Sequence, residues 1–203
     1  MKDITTIVFD IGNVLAGFDW RAYLKTFGFS EETQKRIAEA TFLGENWREV
    51  DRGVKTDKEI YKNCLCEIPD LEKELSLVWE GRTSIVKEYE YASEWIQLLK
   101  EKGYRVYILS NYGETTFAEA RKTFSFLKYP DGMVISYEIK HIKPEHEIYE
   151  ALIERYHIIP EQALFIDDLA VNIEAAQKMG FQTILFTSKK EVEQVLNGLP
   201  VIS

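Results

Sequence analysis

Carboxylate, hydroxyl, amide and ammonium side chains stand at four separate places along the chain, close to the ends of short apolar runs. They are Asp10, the pair Ser110 and Asn111, Lys143, and the adjacent pair Asp167 and Asp168. A carboxylate can act as a nucleophile, a hydroxyl or amide can donate hydrogen bonds to an anion, and a lysine can neutralise charge. Adjacent carboxylates at a buried strand end repel each other unless a cation compensates, and a hard divalent cation with oxygen ligands is the natural one.

Continuous apolar, β-rich runs predict the strands that would position these groups, because such runs are typical of parallel strands covered on both faces. The runs are Thr5–Phe9, Arg105–Leu109, Ala163–Ile166 and Thr183–Phe186, with Met133–Ser136 as a weaker fifth. Helical patterns lie between them, at Ala92–Lys102, Thr115–Phe124, Glu145–Tyr156, Val171–Met179 and Glu191–Leu196. Gly103 and Gly180 stand where helix C-caps belong. The alternation predicts an α/β fold built on an open parallel Rossmann-like sheet with helices on both faces.

Ligands of open α/β sheets bind outside the carboxyl ends of the strands, where the polar residues above would meet. A single aspartate after a strand is often only a turn or helix cap, and a single lysine is ordinarily a surface residue. The joint arrangement is what indicates one site assembled from distant parts of the sequence.

Residues 16–91 break the alternation of strand and helix. This segment shows no convincing strand, but it has amphipathic helical stretches at Ala22–Phe27, Glu31–Phe42, Thr56–Cys66 and Leu71–Trp79. We expect a small helical cap domain at residues 16–91, inserted after the first strand of a catalytic core made of residues 1–15 and 92–203.

Four motifs resemble, in order, those of the haloacid dehalogenase-like hydrolase superfamily. They are VFDIGNVL at residues 8–15, ILSN at 108–111, IKPE at 142–145 and FIDD at 165–168. Individually these motifs are weak, but four in order at strand ends are a strong signal. The inserted helical block resembles the small cap of that superfamily in position and length.

The resemblance implies a phosphatase that hydrolyses a small phosphate monoester. Asp10 would attack phosphorus and form an aspartyl-phosphate. Ser110, with Asn111 nearby, would donate hydrogen bonds to the phosphoryl oxygens, and Lys143 would neutralise charge on the nucleophile and the phosphoryl group.

The resemblance also implies Mg²⁺ as the cofactor. The Asp10 carboxylate, the Gly12 backbone carbonyl and Asp168 would hold the ion, and Asp167 would lie directly behind these ligands or bind through water. Asn172 would help to orient the loop that follows the acidic pair.

Gly12 departs from the pattern of the superfamily, whose phosphatases place a second aspartate two residues after the nucleophile as general acid and base. Loss of such a group typically costs about 10²–10⁴-fold in rate. The loss would be tolerated with a good leaving group, or with a proton supplied by water or a cap residue. The motif form resembles the branch with bacterial α-glucose-1-phosphate phosphatases, whose anomeric phosphate leaves more easily, and this favours a sugar phosphate.

Two alternatives compete with a sugar phosphatase. Haloacid dehalogenases also use an aspartate nucleophile and lack the second aspartate, but they need no Mg²⁺ and lack an acidic pair such as Asp167 and Asp168. The second alternative is a catalytically weak or inactive binding or regulatory protein with a retained fold.

Loop residues of the expected cap are the candidates for contacts with the rest of the substrate. The stretch Glu49–Gly53 predicts a turn that brings Arg52 towards the substrate, although a surface turn residue is an equal alternative. Further candidates are Phe18, Asp19, Trp20, Trp47 and Arg48.

Composition limits the kind of partner. The chain has 203 residues, 45% of them hydrophobic, and a formal net charge of -9 that argues against nucleic acid. The apolar stretch at residues 7–9 is too short for an export signal, and no run approaches the ~20 apolar residues of a membrane span. The closely spaced Cys64 and Cys66 indicate neither a disulfide nor a zinc site. We expect a cytoplasmic protein, monomeric by default, that contacts no membrane and binds a small phosphorylated metabolite.

Overall fold

A five-stranded parallel sheet forms the centre of the computed structural model, which describes residues 4–198. The strand order is β5-β4-β1-β6-β7, so the first strand lies in the middle. The five strands are β1 (Thr6–Phe9), β4 (Arg105–Ser110), β5 (Gly132–Ile135), β6 (Ala163–Asp167) and β7 (Gln182–Leu185). In the register, Phe9 of β1 lies opposite Ile108 of β4 on one side and Ile166 of β6 on the other. This confirms the predicted fold class.

Helices cover both faces of this sheet. They are α6 (Ala92–Glu101), α7 (Glu114–Thr123), α8 (Ser136–Ile139), α9 (His146–Tyr156), α10 (Ala170–Lys178) and α11 (Lys189–Leu196). Strand side chains alternate between the faces: Ile7 and Phe9 pack with α6, α7 and α11, whereas Val8 packs with α9 and α10. Gly103 and Gly180 have φ values of 90° and 91°, which confirms the predicted helix ends because glycine adopts this conformation without steric cost.

Five helices fill the segment between the first and second strands of the sheet. They are α1 (Trp20–Lys25), α2 (Glu31–Ala40), α3 (Glu45–Arg52), α4 (Asp57–Glu67) and α5 (Glu72–Gly81). Their inner faces form a separate cluster of buried residues that includes Leu24, Ile37, Ile60 and Leu75. We refer to residues 20–81 as the helical block. That residues 16–91 form a cap domain of their own stays a prediction.

The expectation that residues 16–91 contain no strand is wrong. Strands β2 (Ala16–Phe18) and β3 (Val86–Glu88) pair antiparallel where the chain leaves the core and returns to it. A three-residue strand is too short to show an alternating pattern, and the glycine in β2 further weakens the signal. A Cβ atom on Gly17 would lie 3.1 Å from the Tyr89 hydroxyl, so the close approach of this ring favours glycine.

Helix α3 was also not expected. The stretch Glu49–Gly53 was predicted to be a turn, but the helix continues to Arg52 and only Gly53 turns away, with φ of 67°. Glycine at the helix C-cap explains why the sequence resembled a turn. No helix among residues 4–198 combines the length and apolar character needed to cross a bilayer.

Candidate active site

Three polar residues meet at the carboxyl ends of the central strands. Asp10 directly follows β1, Ser110 is the last residue of β4, and Asp167 is the last residue of β6. The Asp10 amide donates to the Ile166 carbonyl at 3.0 Å, so the ladder between β1 and β6 extends to the aspartate itself. The sheet topology therefore brings together residues that are 157 positions apart in sequence, from Asp10 to Asp167.

Lys143 lies between two of these carboxylates. Its Nζ atom is 2.8 Å from Asp10 Oδ1 and 2.6 Å from Asp167 Oδ2. All three side chains are buried, with Asp10 the most exposed at 7%. One cation thus serves two carboxylates in a region with little solvent screening.

The shared lysine does not fully offset the cost of burying Asp10. Burial raises the pKa of Asp10 to about 6, with a further increase from the charge of Asp167, while Lys143 acts in the opposite direction. Burial alone would lower the pKa of Lys143, but its two carboxylate neighbours raise it above the ordinary value. At neutral pH Asp10 is therefore mostly ionised, which is the state that its expected role as nucleophile requires.

Asp167 is held by several donors besides Lys143. Its Oδ1 atom accepts from the Leu169 amide at 2.8 Å, and the Asn172 side-chain amide donates to both carboxylate oxygens at 3.0 and 3.1 Å. Both Asp167 oxygens therefore accept hydrogen bonds from protein groups, which suits a role in orienting its neighbours. Asn172 was expected to help orient the loop after the acidic pair, and its side chain contacts that loop through the hydrogen bonds to Asp167.

Asp168 faces the loop that follows β1. Its Oδ2 atom accepts a hydrogen bond of 2.9 Å from the Asn13 side chain, and burial raises the pKa of Asp168. Asn13 has φ of 54°, and its Oδ1 atom accepts from the Phe18 amide at 3.2 Å. Asn13 therefore connects the loop after β1, the acidic pair and strand β2.

Asp10, Asp167 and Asp168 form a donor set that fits a divalent cation. One carboxylate oxygen from each lies within 4.8 Å of the others, and Lys143 is the only cation paired with them in the described part of the chain. Oxygen donors with excess negative charge are what Mg²⁺ prefers.

The turn after β1 places Gly12 beside this donor set. The Ile11 carbonyl accepts hydrogen bonds from the amides of residues 14, 15 and 16, and Gly12 lines the adjoining cavity.

The side chains of Ser110 and Asn111 differ in their hydrogen bonding. The Ser110 Oγ atom is buried beside Asp10, and no group in the described residues completes a well-formed hydrogen bond with it. Such an orphaned hydroxyl is available to a ligand oxygen. The Asn111 amide group instead donates to the Lys143 carbonyl at 3.0 Å and accepts from the Lys143 amide at 2.7 Å. Its side chain thus positions Lys143, rather than being free to bind phosphoryl oxygens as expected.

A cavity of about 310 Å³ opens between this cluster and the helical block. Phe18 and Trp47 line it with stacked rings whose centroids are 5.4 Å apart. Asp51 and Arg82 supply charged groups from the same side. Volumes of this order suit small-molecule ligands.

Arg82 is a buried cation at the wall of this cavity. One terminal nitrogen donates to the Trp79 carbonyl at 2.7 Å, and the other pairs with Asp57. The Nε atom is buried without a hydrogen-bond partner among the described residues. The side chain is 7% exposed, so its charge acts with little screening.

The remaining expected cap residues lie outside the cavity lining. Arg52, the last residue of α3, makes a bidentate pair with Glu145, at 2.6 and 2.8 Å. Its guanidinium group therefore does not line the cavity. Asp19 caps α1 by accepting from the Ala22 amide, Trp20 stacks on Phe42, and Arg48 pairs with exposed Glu45.

The sequence matches the family model described as haloacid dehalogenase-like hydrolase over residues 4–180. The chain belongs to this haloacid dehalogenase-like hydrolase family.

Relatives of this haloacid dehalogenase-like hydrolase include phosphatases. It is 28% identical over 196 residues to a D-ribitol-5-phosphate phosphatase of Bacteroides thetaiotaomicron, with 89% of this chain and 90% of the relative covered. Its structure is similar to that of a HAD family enzyme from the same organism, with a TM-score of 0.76, 26% identity and coverage of 96% and 99%. That enzyme has also been solved in complex with magnesium and inorganic phosphate.

Similarity also extends to a dehalogenase, but only at the level of fold. The L-2-haloacid dehalogenase of Xanthobacter autotrophicus superposes with a TM-score of 0.67 at 15% identity, over 98% of this chain and 85% of that one. Identity this low carries no information about the reaction.

Asn13, Asp51 and Arg82 were not among the expected site residues of this hydrolase. Asn13 and Asp51 lie in stretches of sequence where Asp10 and Arg52, respectively, were the predicted site residues. Arg82 lies far from every motif, at the end of α5, and nothing in its local sequence marks it. Its place at the cavity follows from tertiary packing.

Proposed function

We propose that this chain is a Mg²⁺-dependent phosphatase that hydrolyses the monoester of a small phosphorylated sugar or polyol. The observation that carries the proposal is the buried Asp10, paired with Lys143 beside two further carboxylates at the edge of an open cavity. The family membership and the phosphatases among its relatives support the same reaction.

Asp10 would open the reaction by attacking phosphorus with a carboxylate oxygen. The bond to the ester oxygen breaks, and an aspartyl-phosphate forms; water then attacks phosphorus, releases inorganic phosphate and regenerates Asp10. Lys143 would offset the charge on Asp10 and the phosphoryl group, and the orphaned Ser110 hydroxyl would donate to a phosphoryl oxygen. Asn111 and Asn172 would keep Lys143 and Asp167 in position.

Mg²⁺ would be held by Asp10, the Gly12 carbonyl and Asp168, with Asp167 behind them or bound through water. When bound, it supplies positive charge that reduces repulsion between the nucleophile and the phosphate dianion. The magnesium complex of the structurally similar Bacteroides enzyme supports this assignment.

The substrate class rests on the cavity and on one relative. The cavity of about 310 Å³ fits a phosphorylated metabolite of sugar size. Arg82 would donate a hydrogen bond from its unpartnered Nε atom to a hydroxyl or carbonyl oxygen of this ligand. The stacked rings of Phe18 and Trp47 would contact the carbon face of such a ligand. A relative named for D-ribitol 5-phosphate supports a polyol or sugar phosphate.

Residues 16–91 would act as the cap of this enzyme, over a core made of residues 1–15 and 92–203. Arg52 would then hold the cap on the core through Glu145, and the substrate contacts would come from Arg82 and the aromatic pair. The dehalogenase alternative conflicts with the three-carboxylate donor set, because dehalogenases of this superfamily need no metal.

The test is phosphate release from a panel with and without Mg²⁺. The panel contains ribitol 5-phosphate, glucose 1-phosphate, nucleotides, an isoprenyl phosphate and para-nitrophenyl phosphate, each with Mg²⁺ and with chelator. We expect metal-dependent release that is highest on a sugar or polyol phosphate and is lost in Asp10→Asn, which keeps the shape of the side chain but removes the nucleophile. Release unaffected by chelator would contradict the metal role, and no release from any substrate by the folded protein would favour a binding or regulatory protein.

A further inference from the structure

A hydrolysis of this kind needs a proton donor for the leaving oxygen, and the loop after Asp10 does not contain one. Gly12 stands at the position two residues after the nucleophile and has no side chain. The absence is not forced by space, since a Cβ atom there would meet only Asp10 Oδ2, at an ordinary 3.8 Å. A donor must therefore come from elsewhere in the cavity or from water.

Few side chains lining the cavity can transfer a proton near neutral pH. Arg82 does not give up its proton in proteins, and Lys143 is committed to two carboxylates. Asp168 belongs to the proposed metal ligands, and burial raises the pKa of the Tyr112 phenol above its already high ordinary value. Asp51 is the remaining titratable group of the lining.

The Asp51 carboxyl is free and firmly placed. In the part of the chain that the structure describes, its side chain makes no hydrogen bond or ion pair, although Arg52 and Glu49 beside it are both paired. Its backbone carbonyl accepts a 2.6 Å hydrogen bond from Ser136 Oγ, which also accepts from the Tyr112 amide. The core thus holds the backbone of Asp51 at the cavity while leaving the carboxyl uncommitted.

We propose that Asp51, on helix α3 of the helical block, is the general acid and base of the reaction in place of the missing aspartate at position 12. The proposal rests on the phosphatase function proposed above. In the first step the Asp51 carboxyl gives its proton to the ester oxygen as the phosphorus–oxygen bond breaks. In the second step the resulting carboxylate takes a proton from the attacking water, which restores the acid as phosphate leaves Asp10.

The electrostatics of the cavity agree with this role. Enclosure raises the pKa of Asp51 to about 8, with a further increase from the negative charge of Asp10 and a smaller decrease from Lys143. The carboxyl is thus largely protonated at neutral pH, as a proton donor must be at the start of the reaction. Asp10, with its lower pKa of about 6, is ionised under the same conditions. Two carboxyl groups with separated pKa values form the usual division between acid and nucleophile.

The test compares wild type and Asp51→Asn on substrates that differ in the acidity of the leaving alcohol. Nitrophenolate leaves without protonation, whereas an alkoxide does not. For Asp51→Asn we expect kcat/KM on ribitol 5-phosphate or another alkyl phosphate to fall by about 10²–10⁴-fold. On para-nitrophenyl phosphate, kcat/KM of the variant should stay within about 10-fold of the wild-type value. Its kcat should fall, and a burst of one nitrophenol per enzyme should appear, because hydrolysis of the phosphoenzyme lacks its base.

Two further variants separate catalysis from structure. Glu45→Gln, at an exposed acidic residue on the same helix, should behave as wild type on both substrates. Gly12→Asp in the Asp51→Asn background returns a carboxyl to the nucleophile loop and should restore part of the activity on alkyl phosphates. Equal losses on aryl and alkyl substrates, or no loss on either, would overturn the role of Asp51. A wild-type protein that releases no phosphate from any substrate would overturn the phosphatase function, and this role with it.

Discussion

At the scale of single residues, the site is defined by an imbalance of charge. Lys143 is shared by Asp10 and Asp167, so one of the two carboxylates is always incompletely compensated. The raised pKa of Asp10 reflects this imbalance together with burial. A carboxylate held in this way destabilises the fold, because folding moves a charge from water into a site that does not fully offset the loss of hydration.

Asp10→Asn should therefore stabilise the metal-free protein. The pKa of Asp10 is higher in the folded chain, about 6, than its ordinary value of 3.8, so protonation favours folding. The penalty is absent below pH 4, grows as the pH rises towards 6 and is constant above it. In chelator at pH 7.5 we expect the variant to gain on the order of 2 kcal/mol in unfolding free energy.

The measurement is urea denaturation of both proteins in chelator at pH 4, 6 and 7.5. The variant's advantage should be smallest at pH 4 and largest at pH 7.5. A variant less stable than wild type at pH 7.5 would show that Asp10 stabilises the fold through Lys143.

The convergence of Asp10, Ser110, Lys143, Asp167 and Asp168 could be predicted from sequence, because each group lies near a strand end and parallel strands share one carboxyl edge. The hydrogen-bonding states could not be predicted. Spacing does not reveal that the Asn111 amide is used by the Lys143 backbone, or that the Ser110 hydroxyl lies beside Asp10 without completing a well-formed hydrogen bond. Such differences depend on side-chain geometry within a formed site.

At the scale of elements, helix α3 of the helical block lies directly on the core. Its last turn contacts the core through successive residues: Asp51 by its carbonyl to Ser136, Arg52 by its guanidinium to Glu145, and Gly53 by its carbonyl to Lys140 Nζ at 2.6 Å. Just before them, Val50 fits against Gly113, where an added Cβ atom would lie 2.4 Å from Val50 Cγ1. This turn sets how close the block comes to the nucleophile.

Arg52→Gln should loosen this contact. Hydrogen bonds from Arg52 lower the pKa of Glu145 to about 2, so the pair stabilises the fold above pH 4.5 and loses its effect as the pH falls towards 2. The side chains are 21% and 29% exposed, so at pH 7 we expect a loss of about 1 kcal/mol in unfolding free energy. Denaturant titration at pH 7 measures it.

Arg48→Gln is the matched control, because Arg48 lies on the same helix but pairs with exposed Glu45. It should change stability by no more than a few tenths of a kcal/mol. If Arg52 were instead a substrate contact, Arg52→Gln would raise KM and leave unfolding unchanged.

The strands of the sheet could be predicted within one or two residues, because each is a continuous apolar run between turn residues. The elements missed were β2, β3, α3 and the four-residue helix α8. Two of them are three-residue strands that pair only because the helical block closes a long loop. Helix α3 buries only Asn46 and Val50 of its eight residues, which leaves a weak apolar pattern. Their formation depends on contacts distant in sequence, which local patterns do not contain.

At the scale of the whole molecule, the proposed metal binding would be linked to folding. Three carboxylates from two separate segments meet only in the folded chain, so a cation bound there stabilises the native state. Mg²⁺ at about 100 times its Kd should add roughly 2.7 kcal/mol to the unfolding free energy and raise Tm.

The measurement compares Tm with Mg²⁺ and with chelator. Asp168→Asn should lose most of the increase, whereas Glu174→Gln, at an exposed carboxylate in nearby α10, should keep it. The same Tm increase in both variants would place the ion elsewhere.

The central position of β1 has a consequence for how the protein is made. Of the five strands of the sheet, β1 is synthesised first, yet its two neighbours lie at residues 105–110 and 163–167. Until those neighbours have been synthesised, β1 is an apolar segment with two open edges, which other chains could pair with. Asp10 is thus synthesised well before Asp167 and Asn172, and the proposed site can form only after both have been added. A chain interrupted before β6 would carry Asp10 without Lys143's second carboxylate partner and would leave one edge of β1 unpaired.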